Sequence, residues 1–225
     1  MPFDITLEES FALILVGPSR SGKTTWVKNM LTYGDQLMRA KPEKVFLFYK
    51  MMQNMYQEMK DSNLVNELVD VSQQMPTLDE IKEMVEPFKN NGGSMIIFDD
   101  CMSDINSDFE QLFCNLSHHM DCSIVFLTQN LFYQNNTFRT MSRNTSYMVL
   151  MKSERDKLQI SMLGKQYSPH NHKFIEQAYY EATKQPYSYL FLNYCANVPN
   201  SVRVLSHIFP HKFPVRTYLE SKQNG

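Results

Sequence analysis

The chain has no apolar run approaching the roughly 20 residues that cross a bilayer. Its first residues, MPFDITLEES, carry neither a basic leader nor a hydrophobic signal core. These two absences set the expectation of a protein that is neither secreted nor transmembrane and has no membrane partner. The cysteines, Cys101, Cys114, Cys122 and Cys195, include no CxxC pair. They read as free thiols in a reducing compartment, not as a disulfide frame or a zinc site. His118-His119 and His170-Asn171-His172 lack cysteine or carboxylate partners at ligand spacing, which favours surface or helix-end positions over a metal centre. There is no basic excess either. The formal charge is −2, so any contact with nucleic acid has to come from local patches. With no internal repeat, low-complexity segment or linker, 225 residues that are 43% hydrophobic and 20% charged suit one globular domain over 1–225.

What the chain does contain is a series of short apolar runs. They are Phe11–Val16, Lys44–Tyr49, Ser94–Phe98, Cys122–Leu127 and Ser146–Met151, with two more late in the chain, Tyr187–Tyr194 and Val202–Phe209. Continuous runs of this length suit strands buried on both faces. Helical patterns separate them. Ile105, Phe109, Leu112, Phe113 and Leu116 form one apolar stripe. Thr77-Leu78-Asp79-Glu80 has the form of a capping box, and Pro87 should end the helix it opens. A further helix is expected from Ser153-Glu154-Arg155-Asp156 toward Gly164. Alternating strands and helices predict an α/β fold with a mainly parallel central sheet and helices on both faces.

The first run leads into Gly17-Pro18-Ser19-Arg20-Ser21-Gly22-Lys23-Thr24, which fits GxxxxGK[ST] in the strand-to-helix setting where that pattern has a mechanism. Successive backbone N–H groups and a helix N-terminus make a cradle for phosphate oxygens. Gly17 and Gly22 allow a close backbone approach, Lys23 reaches the β- and γ-phosphates, and the Thr24 hydroxyl ligates Mg2+. Thr25 is placed for the α-phosphate.

A second element is the acidic pair that ends the run SMIIFDD. Two carboxylates at the carboxyl end of a buried strand need a cation or donors nearby. Asp99 reads as the magnesium-side carboxylate, and Asp100 as the base that orients an attacking water. The third element, Thr128-Gln129-Asn130, puts a neutral amide after another buried strand, where Gln129 can sense the γ-phosphate or the attacking water.

A complete strand-helix segment from 44 to about 90 separates the phosphate loop from the acidic strand. Such spacing resembles that of the RecA-like, additional-strand ATPases, which implies a sheet order of 5-1-4-3-2, and the lack of an NKxD base-reading signature weighs against a GTPase. The stretches GPSRSGKT, SMIIFDD, IVFLTQNLF and RTMSRNTSYMVLMKSERDKLQI resemble the viral genome-packaging ATPases of the FtsK–HerA superfamily, the poxvirus-type and Polinton-like packaging enzymes. The resemblance covers about residues 10–168 and leaves 169–225 as an extension with two further strands.

That resemblance implies an ATP-driven motor that moves double-stranded DNA into a capsid. It implies a homo-oligomeric ring, usually a hexamer, with viral capsid or portal-type partners. The place of work would be the host nucleus or cytoplasm, at assembling virions. It also implies ATP and Mg2+ as cofactors, with Lys23, Asp100 and Gln129 in the catalytic positions. Asp100 departs from the family, which often has glutamate there. The arginine that family members often carry before the TQ strand is missing, because Ser117-His118-His119 stand in its place. Arg139, Arg143 and Arg155 are the substitutes for an arginine acting in trans, and each also reads as a surface residue or a DNA phosphate contact. Lys152, Arg155, Lys157 and Lys165 form a basic stretch interrupted by Glu154 and Asp156, the mixed pattern of a solvated face. Two alternatives stay open at this level. One is a phosphate-loop kinase of a nucleotide or other small molecule, and the other a nucleotide-gated binding protein with little turnover.

Overall fold

The structure is a computed structural model that describes residues 5–101, 103, 109–111, 113, 119–131, 136–210 and 213–220. The apolar runs become strands β1 (Ala12–Val16), β2 (Lys44–Tyr49), β4 (Ser94–Asp99), β5 (Cys122–Thr128), β6 (Tyr147–Met151), β7 (Tyr189–Asn193) and β8 (Val204–Ser206). Two short strands have no apolar run behind them: β3 (Glu67–Asp70) and β9 (Arg216–Thr217). Both lie at sheet edges, where half of each strand stays wet and continuous hydrophobicity is not required.

The described strands form one sheet in the order β3-β2-β4-β5-β1-β6-β7-β8-β9. All pairings from β3 through β6 are parallel, while β7, β8 and β9 add on antiparallel. Within the parallel part, β6-β1-β5-β4-β2 reproduces the expected 5-1-4-3-2 order, and β3 extends it by one strand beyond β2.

Alternation along the strands sorts the core into two layers. Ala12, Ile14, Val16, Ile96 and Phe98 face one side, under α4 (Leu78–Val85), α5 (Asn136–Arg143), α6 (Lys157–Tyr167) and α7 (Lys173–Ala182). Leu13, Leu15, Met95 and Ile97 face the other, under α1 (Lys23–Thr32), α2 (Gly34–Leu37) and α3 (Asn54–Asp61). Of the predicted apolar stripe, Phe109 and Phe113 are buried in the first layer; Ile105, Leu112 and Leu116 lie outside the described residues. The helix ends follow local chemistry. Thr77 accepts from the Glu80 amide while the Glu80 carboxylate accepts from the Thr77 amide, a complete capping box for α4, and Pro87 sits in the 3-10 turn that follows it. The helix expected from residue 153 begins later, with Asp156 as its N-cap, and runs past Gly164 to Tyr167.

Cys101 and Cys122 are buried and Cys195 is half-buried; Cys114 and His118 lie outside the described residues. Among the described residues no helix is long and apolar enough to cross a membrane.

Candidate functional site

The site lies at the carboxyl ends of β1, β4 and β5, where an open α/β sheet leaves its crevice. Strand register brings its parts together. Val16 pairs with Thr128, and Asp99 lies beside Leu127, so the phosphate loop, the acidic pair and Gln129 leave the sheet on neighbouring strands. The Gly17 amide donates to the Thr128 carbonyl at 3.1 Å and ties the loop to β5.

Within the loop, Gly17 is required by packing. A Cβ there would lie 2.6 Å from Met151 Cβ and 2.7 Å from Ser21 Oγ, far inside contact distance. Gly22 is required by its backbone: with φ of 97° it occupies the left-handed region and opens α1. Arg20 shares that region at φ 63°. Among the described residues no side chain caps α1, so its first-turn amides keep their donors for another acceptor, in contrast to α4. The Ser21 hydroxyl is buried and has no hydrogen-bond partner among the described residues. Pro18 is half-buried, and Ser19, Arg20 and Thr25 are exposed. Lys23 Nζ donates to the Gly17 carbonyl at 2.8 Å and to the Pro18 carbonyl at 3.2 Å, so the ammonium lies over the loop. Burial holds its pKa below the ordinary lysine value, against the pull of Asp99 and Asp100.

Asp99 is the centre of the arrangement. It points to the α1/α3 side of the sheet because it continues the alternation of Met95 and Ile97. Thr24 Oγ1 donates to its Oδ2 at 3.2 Å, and the Tyr56 hydroxyl donates to the same oxygen at 2.8 Å. Gln53 Nε2 in turn donates to the Tyr56 hydroxyl at 2.8 Å. Burial pushes the Asp99 carboxyl above the usual carboxylate range; the Tyr56 bond, Lys23 and Thr24 act in the opposite sense without cancelling it. The Tyr56 phenol is driven up by its own burial and by Asp99, so it stays a donor. A buried carboxylate held in this state, with a threonine hydroxyl on the same oxygen, is a donor set suited to a divalent cation.

Asp100 follows in the left-handed region at φ 62° and is exposed, so the two neighbouring carboxylates face different surroundings. Gln129 is exposed directly after β5. Arg139 and Arg143 are exposed on α5, and Arg155 is exposed in the turn before α6, whereas Asp99 is held by Thr24 and Tyr56. The basic stretch is partly neutralised, since Glu154 lies between Lys152 at 3.9 Å and Lys157 at 4.0 Å.

Tyr56 and Gln53 escape a reading along the chain. They sit in a polar stretch with no motif, and only the pairing of β2 with β4 carries α3 over Asp99.

The amino-acid sequence matches the profile of the Poxvirus A32 protein family over residues 3–178. The chain belongs to that family. Among solved structures, this Poxvirus A32 family member is similar to the genome packaging NTPase B204 from Sulfolobus turreted icosahedral virus 2, determined in complex with ATP-gammaS. The two are 12% identical with a TM-score of 0.53, covering 83% of this chain and 93% of that one. It is also similar to the KaiC-like protein PH0186 from Pyrococcus horikoshii OT3, at 10% identity and a TM-score of 0.48, covering 92% of this chain and 91% of that one. No curated protein sequence matches it. At 12% identity the likeness to the packaging NTPase shows the fold alone: a phosphate-loop NTPase-like α/β sheet. The A32 match ends within α7, before β7 begins.

Proposed function

We propose that this protein is an ATP-hydrolysing motor that translocates double-stranded DNA into a viral capsid. The observation that carries the hydrolytic part is the convergence of Lys23, Thr24 and Asp99 beneath an uncapped helix N-terminus, with Asp100 and Gln129 on the adjoining strand ends. The direction toward DNA packaging comes from membership of the Poxvirus A32 family.

In this reading the loop from Gly17 to Thr24 cradles the triphosphate with its backbone amides. Lys23 leaves the Gly17 and Pro18 carbonyls for the β- and γ-phosphate oxygens, and Ser21 Oγ gains the partner it lacks. Thr25 borders the α-phosphate. Thr24 and Asp99 hold Mg2+, which supplies charge neutralisation at the phosphates when bound. Asp100 takes the proton of the attacking water, and Gln129 orients that water. The exposure of Arg139, Arg143 and Arg155 suits a residue acting on a neighbouring subunit of a ring, with the hexamer as the favoured assembly and capsid or portal-type proteins as partners.

The test is steady-state ATP hydrolysis with and without double-stranded DNA, together with the mass of the assembled particle. The wild type should hydrolyse ATP faster with DNA and assemble. Asp100→Asn should keep ATP binding and lose about a hundredfold or more in turnover. Hydrolysis by Asp100→Asn equal to wild type removes Asp100 from the mechanism. A DNA-indifferent monomer overturns the motor.

A further inference from the structure

The residues after the family match build a cleft against the phosphate loop. It has a volume of about 1010 Å³, at the upper end of the roughly 300–1,000 Å³ usual for cofactor sites. Gly22 and Thr25 border it on one side, and the turn between α7 and β7 together with the chain after β8 closes the other. Its floor is aromatic. Trp26 lies 5.3 Å from Phe209 and 5.9 Å from Tyr189 between ring centroids, and the Tyr189 hydroxyl accepts from the Ile208 amide at 3.0 Å, which fixes that floor to β7.

The rim is unlike the floor. Tyr187 is 70% exposed and Phe213 65% exposed, two large rings open to solvent on the same cleft. Tyr187 also occupies the left-handed region at φ 60°, in the turn that the Ser188 amide closes on the Gln185 carbonyl at 3.4 Å, with Pro186 before it. This turn brings the ring to the loop: a Cβ on Gly22 would come within 3.2 Å of Tyr187 Cδ1. Phe213 is backed by His207 at 5.1 Å. The Tyr187 ring rests against Gly22 on one side and leaves most of its surface open to the cleft.

We propose that this cleft is the nucleoside subsite, in which the ribose and base of the nucleotide leave the phosphate loop at Thr25 and the base stacks on Tyr187. The proposal rests on the phosphate-loop reading and adds to it that the segment after residue 178 supplies the affinity for the base. A planar heterocycle covers the exposed ring, and the aromatic floor excludes water beneath the ribose. Hydrogen-bonding side chains on the cleft wall, among them Asn29 and Gln185, face the edges of the base and the ribose hydroxyls.

Calorimetric titration of ATP and of inorganic tripolyphosphate, each with Mg2+, separates the two ends of the ligand. Wild type should bind ATP about tenfold or more tighter than tripolyphosphate. Tyr187→Ala should weaken ATP by about ten- to a hundredfold and leave tripolyphosphate unchanged, while Tyr187→Phe retains wild-type affinity. Trp26 is the single tryptophan of the chain, so its emission should shift with ATP and not with tripolyphosphate. Equal ATP affinity for wild type and Tyr187→Ala overturns the subsite, as does a parallel loss for both ligands. If tripolyphosphate binds and ATP gains nothing over it, the subsite falls and the phosphate loop stands. If the wild type binds neither ligand, the phosphate-loop reading fails and the subsite with it.

Discussion

Asp99 Oδ2 accepts from two hydroxyls, and the two donors come from different distances along the chain. Thr24 belongs to the phosphate loop, and Tyr56 is a fully buried side chain of α3. Tyr56→Phe keeps the ring and removes one donor, which leaves Asp99 held on one side and Gln53 without its acceptor. Because partners that orient a metal-binding carboxylate are worth about 10- to 100-fold in affinity or activity, this change should raise the Mg2+ needed for half-maximal hydrolysis by that order. Magnesium titrations of the two proteins check it, with coincident curves as the contrary result. Asp99 also makes a stability prediction. Its folded pKa is raised by burial, so the folded state binds the proton more tightly than the unfolded chain. The favourable contribution is present at low pH and is lost as pH rises through the raised folded value. Without nucleotide or Mg2+, Asp99→Asn should therefore melt higher than wild type at neutral pH, and the gap should close on acidification through the carboxylate range. Melting curves for both proteins across pH decide it.

At the scale of elements, contrasting helices show how packing overrides propensity. α4 is capped by its own sequence, and the capping box at Thr77 and Glu80 is legible because donor and acceptor lie three residues apart. α6 carries Gly164 in its interior, where propensity alone favours alanine by about 1 kcal/mol. The structure reverses that sign. A Cβ on Gly164 would run into the backbone carbonyl of His172, which opens α7, so the glycine is what lets the two helices meet. Gly164→Ala should lower the melting temperature by roughly 4–10 °C, following the usual 1–3 kcal/mol for overpacking. A thermal melt that rises instead would show that the α6–α7 contact yields easily. The later start of α6 has a similar lesson: Ser153 is buried and its amide donates to the Tyr179 hydroxyl at 2.8 Å, so tertiary contact holds this residue out of the helix that its local sequence suits.

At the scale of the molecule, the three antiparallel strands change what the C-terminal segment is for. β7 pairs with β6 along Tyr147–Met151, and Phe191 stacks on Tyr147 at 5.5 Å. These strands cover what would otherwise be an open hydrophobic edge beside the phosphate loop. A chain ending at Thr183 keeps the whole family match and every motif residue, yet it exposes that edge. We expect it to be recovered mainly as insoluble material, which the soluble fraction on expression and size-exclusion chromatography will show. A soluble, monomeric, ATP-binding truncation would mean that β1 to β6 fold alone.

The sequence by itself determined the α/β class and the parallel run of strands, and it is the source of the roles proposed for Lys23, Thr24, Asp99, Asp100 and Gln129. Each of these is written in a few consecutive residues, because buried strands need continuous hydrophobicity and phosphate cradles need glycines beside a lysine and a hydroxyl. Tertiary structure alone decided that β3 and β9 exist, that Tyr56 holds Asp99, and that Tyr187 is raised beside Gly22. Those facts depend on which strands become neighbours and which turns meet across the sheet's end, and both are set by packing between segments far apart in the chain. The phosphate end of the site is therefore local and readable, whereas the cleft beside it is assembled from both ends of the molecule.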